Sequence, residues 1–167
     1  MKQDRRRFLA TTAAVGSIGL AGCLGVISGS SSPKYESDQK EEMLLSVDAF
    51  PSGWKRNDEL NENFDGVFMS EDESLVVLLS IEVYEEVGQA KESHETSESG
   101  FSDTNEIDIG NEAFWTTRND EIAYTIFRHS NALGQAAAIQ ESGVSLQPDQ
   151  SRSQKYAREM YSHWEEL

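Results

Sequence analysis

The chain has 167 residues, with 14 Lys+Arg against 30 Asp+Glu and a formal charge of −16. That length supports one modest core and is too short for two. Outside the first few residues no basic patch exists to neutralise phosphates, which excludes nucleic acid as a partner.

Asp4-Arg5-Arg6-Arg7-Phe8-Leu9 holds two arginines, one free position and two apolar residues. A largely apolar run from Phe8 to Ala21 follows, shorter than the roughly 18–20 residues that span a bilayer. It ends in Leu20-Ala21-Gly22-Cys23. This order resembles a lipoprotein signal peptide exported by the twin-arginine route, with Arg5 and Arg6 as the export signal. The resemblance implies cleavage of residues 1–22 and lipid on Cys23. The mature protein is then a lipid-anchored membrane protein facing outside the cytoplasm. The alternative is a retained N-terminal anchor helix. Cys23 is the single cysteine, so no disulfide is available and the domain rests on its core and hydrogen bonds.

Residues 24–33 form a Gly/Ser-rich tether, and the polar stretch 34–42 reads as more linker. The folded domain is expected over residues 43–167. Met43–Val47 reads as a short strand. Pro51-Ser52-Gly53-Trp54 is a turn, and Asn63–Met69 is a second strand leading to the polar turn Ser70–Glu73. Ser74–Tyr84 is the strongest strand. Leu75, Val77, Leu79, Ile81 and Val83 share one face by the two-residue period. The other face carries Val76 and Leu78, then Ser80, Glu82 and Tyr84, so it is buried over its first half only. That describes a central strand.

Glu85–Ser97 reads as a helix with a thin apolar side: Val87, Ala90 and His94. Glu106–Ile109 and Glu112–Thr117 are strands flanking Gly110-Asn111. Glu121–His129 alternates well between the turn pairs Asn119-Asp120 and Ser130-Asn131. In Ala132–Gln140 the alanine run favours helix by propensity. The alternation of Leu133, Gln135, Ala137 and Ile139 favours strand, and that is the expectation. The last element, Ser151–Glu166, is an amphipathic helix. Its stripe is Tyr156, Ala157, Met160, Tyr161, Trp164 and Leu167, and Ser151 with Gln154 fits a capping box. Together the elements predict a single α+β domain, an antiparallel sheet of five to seven strands covered by two helices.

Phe50-Pro51-Ser52-Gly53-Trp54, Ile107-Asp108-Ile109-Gly110-Asn111-Glu112-Ala113 and Phe127-Arg128-His129-Ser130-Asn131 are phrases found in small exported lipoproteins. The chain resembles haloarchaeal twin-arginine-exported lipoproteins. In layout it is similar to the PsbP-like α+β fold, also seen in mycobacterial LpqN-type lipoproteins. The resemblance implies a non-catalytic binding or assembly module with a protein partner.

The residues themselves supply little chemistry. His94, His129 and His163 fall in different elements. The pairs His94/Glu98 and His163/Glu159 are spaced to share a helix face, but acids this dense create such pairs by chance. Glu71-Asp72-Glu73 lacks the spaced ligands and the glycine of a calcium loop and reads as a solvated turn. A Gly-x-Ser-x-Gly elbow and a Gly-rich phosphate loop are both missing from the sequence. No cofactor, metal or catalytic residue is therefore assigned. A partner surface is expected at Trp54, Trp115 and Arg128, near Ser80, Glu82 and Tyr84. Such a mixture of aromatic side chains with a scarce cation is enriched at interfaces. The competing reading makes the aromatics core and pairs Arg128 with Glu112. For function, the alternative to a binding module is a small extracytoplasmic hydrolase or a solute-binding component.

Removing residues 1–22 leaves ten Lys+Arg against 29 Asp+Glu, a charge of −19 on 145 residues. The acids are spread along the chain, a pattern that resembles salt-adapted archaeal proteins. Self-repulsion of this kind is largely screened at molar salt, where the Debye length is about 3 Å. The melting temperature should therefore rise between about 0.1 M and about 3 M KCl, as followed by circular dichroism; a flat or falling trend contradicts this reading.

Overall fold

The computed structural model describes residues 32–57, 63–142 and 145–167. Arg5, Arg6, Cys23 and the first part of the tether lie outside them. The strands are β1 Lys55–Arg56, β2 Gly66–Met69, β3 Leu75–Val83, β4 Asn105–Glu106, β5 Glu112–Arg118, β6 Ile122–His129, β7 Ala132–Ser142 and β8 Ser145–Pro148. The helices are α1 Lys40–Met43, α2 Val87–Ser99 and α3 Gln150–Glu166. The fold is α+β, with one open antiparallel sheet in the order β1-β2-β3-β7-β6-β5-β4. β8 pairs with the far end of β7, Ile139 opposite Pro148.

Strand alternation divides the core into two layers. Thr125 of β6 meets Ser153 of α3, their hydroxyl oxygens 2.9 Å apart. The next residue, Ile126, is opposite Phe114, and Phe114 packs edge-on against His94 of α2 at 5.3 Å. α3 and α2 therefore cover opposite faces. On the α3 face, Phe68, Val77, Leu79, Ile81, Phe127, Ala136 and Ala138 pack with Tyr156, Ala157, Met160 and Trp164. The other face holds the buried Val67, Leu78, Phe114, Ile126, Leu133 and Ala137. α2 adds only Ala90 and His94 to it.

β3 follows the period read from the sequence, with Val77, Leu79 and Ile81 buried on one face. On the other, Leu78 is buried and Glu82 exposed. β7 is a strand in spite of its alanines, because it is paired on both sides, with β3 and β6. The β5–β6 turn places Asn119 and Asp120 at φ 55°, the left-handed backbone that tight hairpins require.

Four expectations are corrected. Met43–Val47 is not a strand. α1 ends at Met43 and a 3-10 turn covers Val47–Ala49. Met43 and Leu45 are both buried, and the Met43 carbonyl accepts from Trp164 Nε1 at 2.8 Å. The Glu106–Ile109 strand shrinks to Asn105–Glu106, since Ile109 is buried ahead of the positive-φ Gly110 (64°). The cap of α3 is Asp149, whose carboxylate accepts from Arg152 N at 3.0 Å; Ser151 donates to that same carboxylate. Asp149 stands immediately before the helix, where its carboxylate meets the free N–H groups of the first turn.

The fourth correction concerns the linker expected through residue 42, because the fold already begins at Lys34. Asn131 is fully buried. Its Oδ1 accepts from Lys34 N (2.9 Å) and Tyr35 N (3.0 Å). Its Nδ2 donates to the carbonyls of Tyr35 (2.8 Å) and Tyr84 (2.7 Å). Tyr35 is buried, and its hydroxyl donates to the Trp164 carbonyl. Asn131→Ala leaves four backbone groups without these partners and should lower stability by about 2–4 kcal/mol. Denaturant titration in molar salt measures it, and a loss within error of zero removes the clamp from the account.

Candidate functional site

An open groove of about 460 Å³ lies between the Pro51–Trp54 turn and the β2–β3 hairpin. One wall is Trp54. Gly53 takes φ 90° and Trp54 N donates to the Pro51 carbonyl at 3.2 Å, so the turn presents the indole at a fixed place. The ring stacks on Phe50 at 5.3 Å, and Phe50 stacks in turn on Phe68 (4.1 Å) and Tyr156 (4.3 Å). The groove wall is thus the outer end of an aromatic stack rooted in the α3 core. Trp54 is half-buried, leaving part of its face for a ligand.

The opposite wall is the hairpin, with Ser70, Glu71, Asp72, Ser74 and Leu75. Leu75 N donates to Ser70 Oγ, and Ser70 N to the Leu75 carbonyl, both at 3.0 Å. Asp72 Oδ1 accepts from Ser70 Oγ (2.7 Å), Ser74 N (3.1 Å) and Ser74 Oγ (2.8 Å). These hydrogen bonds, that of Ser70 foremost, hold the Asp72 carboxyl below its ordinary value. Glu71 reaches back over Gly53, where an added Cβ would meet its Oε2 at 3.1 Å. An aromatic wall facing hydroxyls and carboxylates suits a ligand with one apolar face and hydroxyl or cationic groups. The Ser70 and Ser74 hydroxyls are both spent on Asp72, an arrangement that stiffens the turn and does not activate either oxygen as a nucleophile. Among the described residues no group of three or more His, Cys, Asp or Glu is placed to hold a metal ion.

Trp54, Trp115 and Arg128 do not share a surface. Trp115 is half-buried in β5, opposite Thr125 and so on the α3 face. Arg128 is opposite Glu112 on the α2 face and is 7% exposed. Trp54 lies beyond β2, at the other edge of the sheet. Only Trp54 belongs to the groove. Ser80 and Glu82 lie on the α2 face of β3 and Tyr84 follows the strand; Tyr84 Oη donates to the Glu82 carboxylate and accepts from Ser93 Oγ of α2 at 2.7 Å. What the sequence reading missed at the groove was the serine frame of Asp72; the Ser-x-Asp-x-Ser spacing of residues 70–74 was the available signal.

Arg128 is an internal ion-pair partner. Its Nε donates to Glu112 Oε2 at 3.0 Å and its Nη1 to the Ser130 carbonyl at 3.0 Å. His94 Nδ1 stands 3.9 Å from the same Glu112 oxygen. Burial pushes the Glu112 carboxyl up, but the Arg128 hydrogen bond and charge, with His94 and Lys91 behind them, outweigh it; the net shift is downward. A carboxyl lowered in the folded state stabilises above its unfolded value and loses that contribution as pH falls through the folded one. Glu112→Gln should therefore be less stable than wild type at about pH 7 and lose less on acidification from about pH 5 to about pH 3. Parallel melting curves check this, and equal acid losses would contradict it.

Comparison of the chain with family models, curated proteins and solved structures returns no match.

Proposed function

We propose that the chain is a membrane-anchored extracytoplasmic lipoprotein, lipidated at Cys23, that acts as a non-catalytic binding or assembly module. The ordered Arg5-Arg6, apolar run and Ala21-Gly22-Cys23 support the address. The resemblance to haloarchaeal lipoproteins with a PsbP-like layout supports the class. Among the described residues no helix is long and apolar enough to cross a membrane.

One observation carries the binding reading: the clamp and the groove lie at opposite ends of β3. Asn131 holds Lys34 and Tyr35 beside Tyr84, past the last residue of β3. The groove is built on Leu75, its first residue. The strand between them measures about 26 Å at about 3.3 Å per residue. A chain anchored at Cys23 would enter the domain at the clamped end, at the other end of β3 from the groove. The groove also gives the solute-binding alternative its footing, since an aromatic wall beside carboxylates can take a small ligand with a cationic group.

A photo-crosslinking side chain at Glu71, with another at Glu95 on α2 as control, tests the module in native membranes at high salt. A defined protein captured from Glu71 and not from Glu95 is expected, and Cys23→Ser should release the protein or leave it unprocessed. Turnover of a hydrolase substrate, abolished by one carboxylate or serine substitution, would overturn the reading.

A further inference from the structure

α2 is the more weakly seated of the two long helices. α3 buries five of its residues, whereas α2 buries Ala90 and His94 alone. His94 supplies most of that footprint. It is 4% exposed, and its ring meets Phe114 edge-on at 5.3 Å. Its Nε2 is buried with no hydrogen-bond partner. A neutral ring can leave a bare lone pair there, but a protonated ring adds an N–H, and the Ile126 backbone is the one neutral acceptor acting on the ring.

The charges around the ring do little to relieve this. Glu112 of β5 is 3.9 Å from Nδ1, but it is already engaged by Arg128 of β6 at 3.0 Å. From α2 itself, Glu98 acts on the ring and Lys91 on Glu112. β7 presents Leu133, Gln135 and Ala137 to this face, none of them ionisable. α2 is also tied by a hydrogen bond from Ser93 Oγ to Tyr84 Oη at 2.7 Å and by one from Thr104 Oγ1 to Glu98 at 3.3 Å.

We propose that α2 is an acid-released cover: protonation of His94 frees the helix from the sheet and bares the face carrying Phe114, Ile126 and Leu133. Burial lowers the His94 value; Glu112, Glu98 and a hydrogen bond to the Ile126 backbone oppose that shift, and Arg128 adds to it. A histidine lowered in the closed state stabilises closure fully above its open-state value of about 6.5 and loses that stabilisation as pH falls below it. The carboxylates stay ionised across most of this window, so the effect is separable from general acid unfolding. His129 is also lowered by burial, but it packs against Tyr35 and Tyr161 on the α3 face and reports on a different helix.

Hydrogen exchange on the full chain in molar KCl, corrected for the intrinsic pH dependence of amide exchange, tests this. Between about pH 7.5 and about pH 5.5 the opening of α2 amides should rise about three- to tenfold and by more than that of α3. His94→Gln should abolish the rise. Glu112→Gln removes a charge that eases protonation and should keep the rise at least as large. Uniform opening of both helices in wild type, or a selective rise that survives in His94→Gln, overturns the proposal. If His94→Gln does not fold, Glu112→Gln decides, and a rise smaller than wild type overturns it.

Discussion

Small residues on β7 facing large rings on α3 set the spacing on which the rest of the fold depends. Ala132, Gly134, Ala136 and Ala138 share one side of the strand, and all are buried. At Gly134 an added Cβ would lie 2.3 Å from the Phe127 ring and 2.9 Å from that of Trp164. Because that space is empty of side chain, the two rings approach to 4.8 Å. Trp164 then sits deep enough to donate to the Met43 carbonyl and to accept from the Tyr35 hydroxyl. The N-terminal segment therefore docks on the helix it precedes by more than a hundred residues. At the other end of α3, Tyr156 joins Phe50 and Phe68, and that stack holds Trp54 at the groove.

Charge acts differently inside and outside this frame. The exposed pairs, such as Lys40 with Asp65 and Lys55 with Glu73, are of the kind that contributes about 0–1 kcal/mol and fades with salt. Arg128 is buried, and its guanidinium also bonds a backbone carbonyl. Desolvation makes such a group costly to leave alone, so Glu112 is held in place by Arg128. The same carboxylate is then only partly available to His94. Three titratable groups on the α2 face thus share one negative charge, within a chain whose surface has an excess of it.

β3 and α3 were legible because their apolar residues repeat at two and at three to four positions without interruption. β7 was legible for the same reason, since alternation outweighed the helix preference of its alanines. The pairing of Arg128 with Glu112 was also readable, from two strands flanking a short turn. The start of the fold was not. Lys34 and Tyr35 are polar-looking neighbours of a linker, and what orders them is an asparagine 97 and 96 positions away. β8 carries a proline and two exposed positions, and pairs only with the end of β7. The grouping of Trp54, Trp115 and Arg128 failed because it needed the face of each strand. Trp115 and Arg128 are on adjacent strands, but the register sets them on opposite sides.

The clamp at Asn131 also decides how the domain responds to mechanical tension. A pull on the chain from its N-terminal side reaches Lys34 and Tyr35 first, where one amide side chain holds three backbone groups. Among the described residues the first strand begins at Lys55, so the force does not act directly on the sheet. Peeling breaks side-chain hydrogen bonds one after another and draws out Tyr35 before any ladder is sheared. Only the stretch from the clamp to Glu42 can lengthen first, because beyond it Trp164 holds Met43 and the aromatic stack holds Phe50 and Trp54.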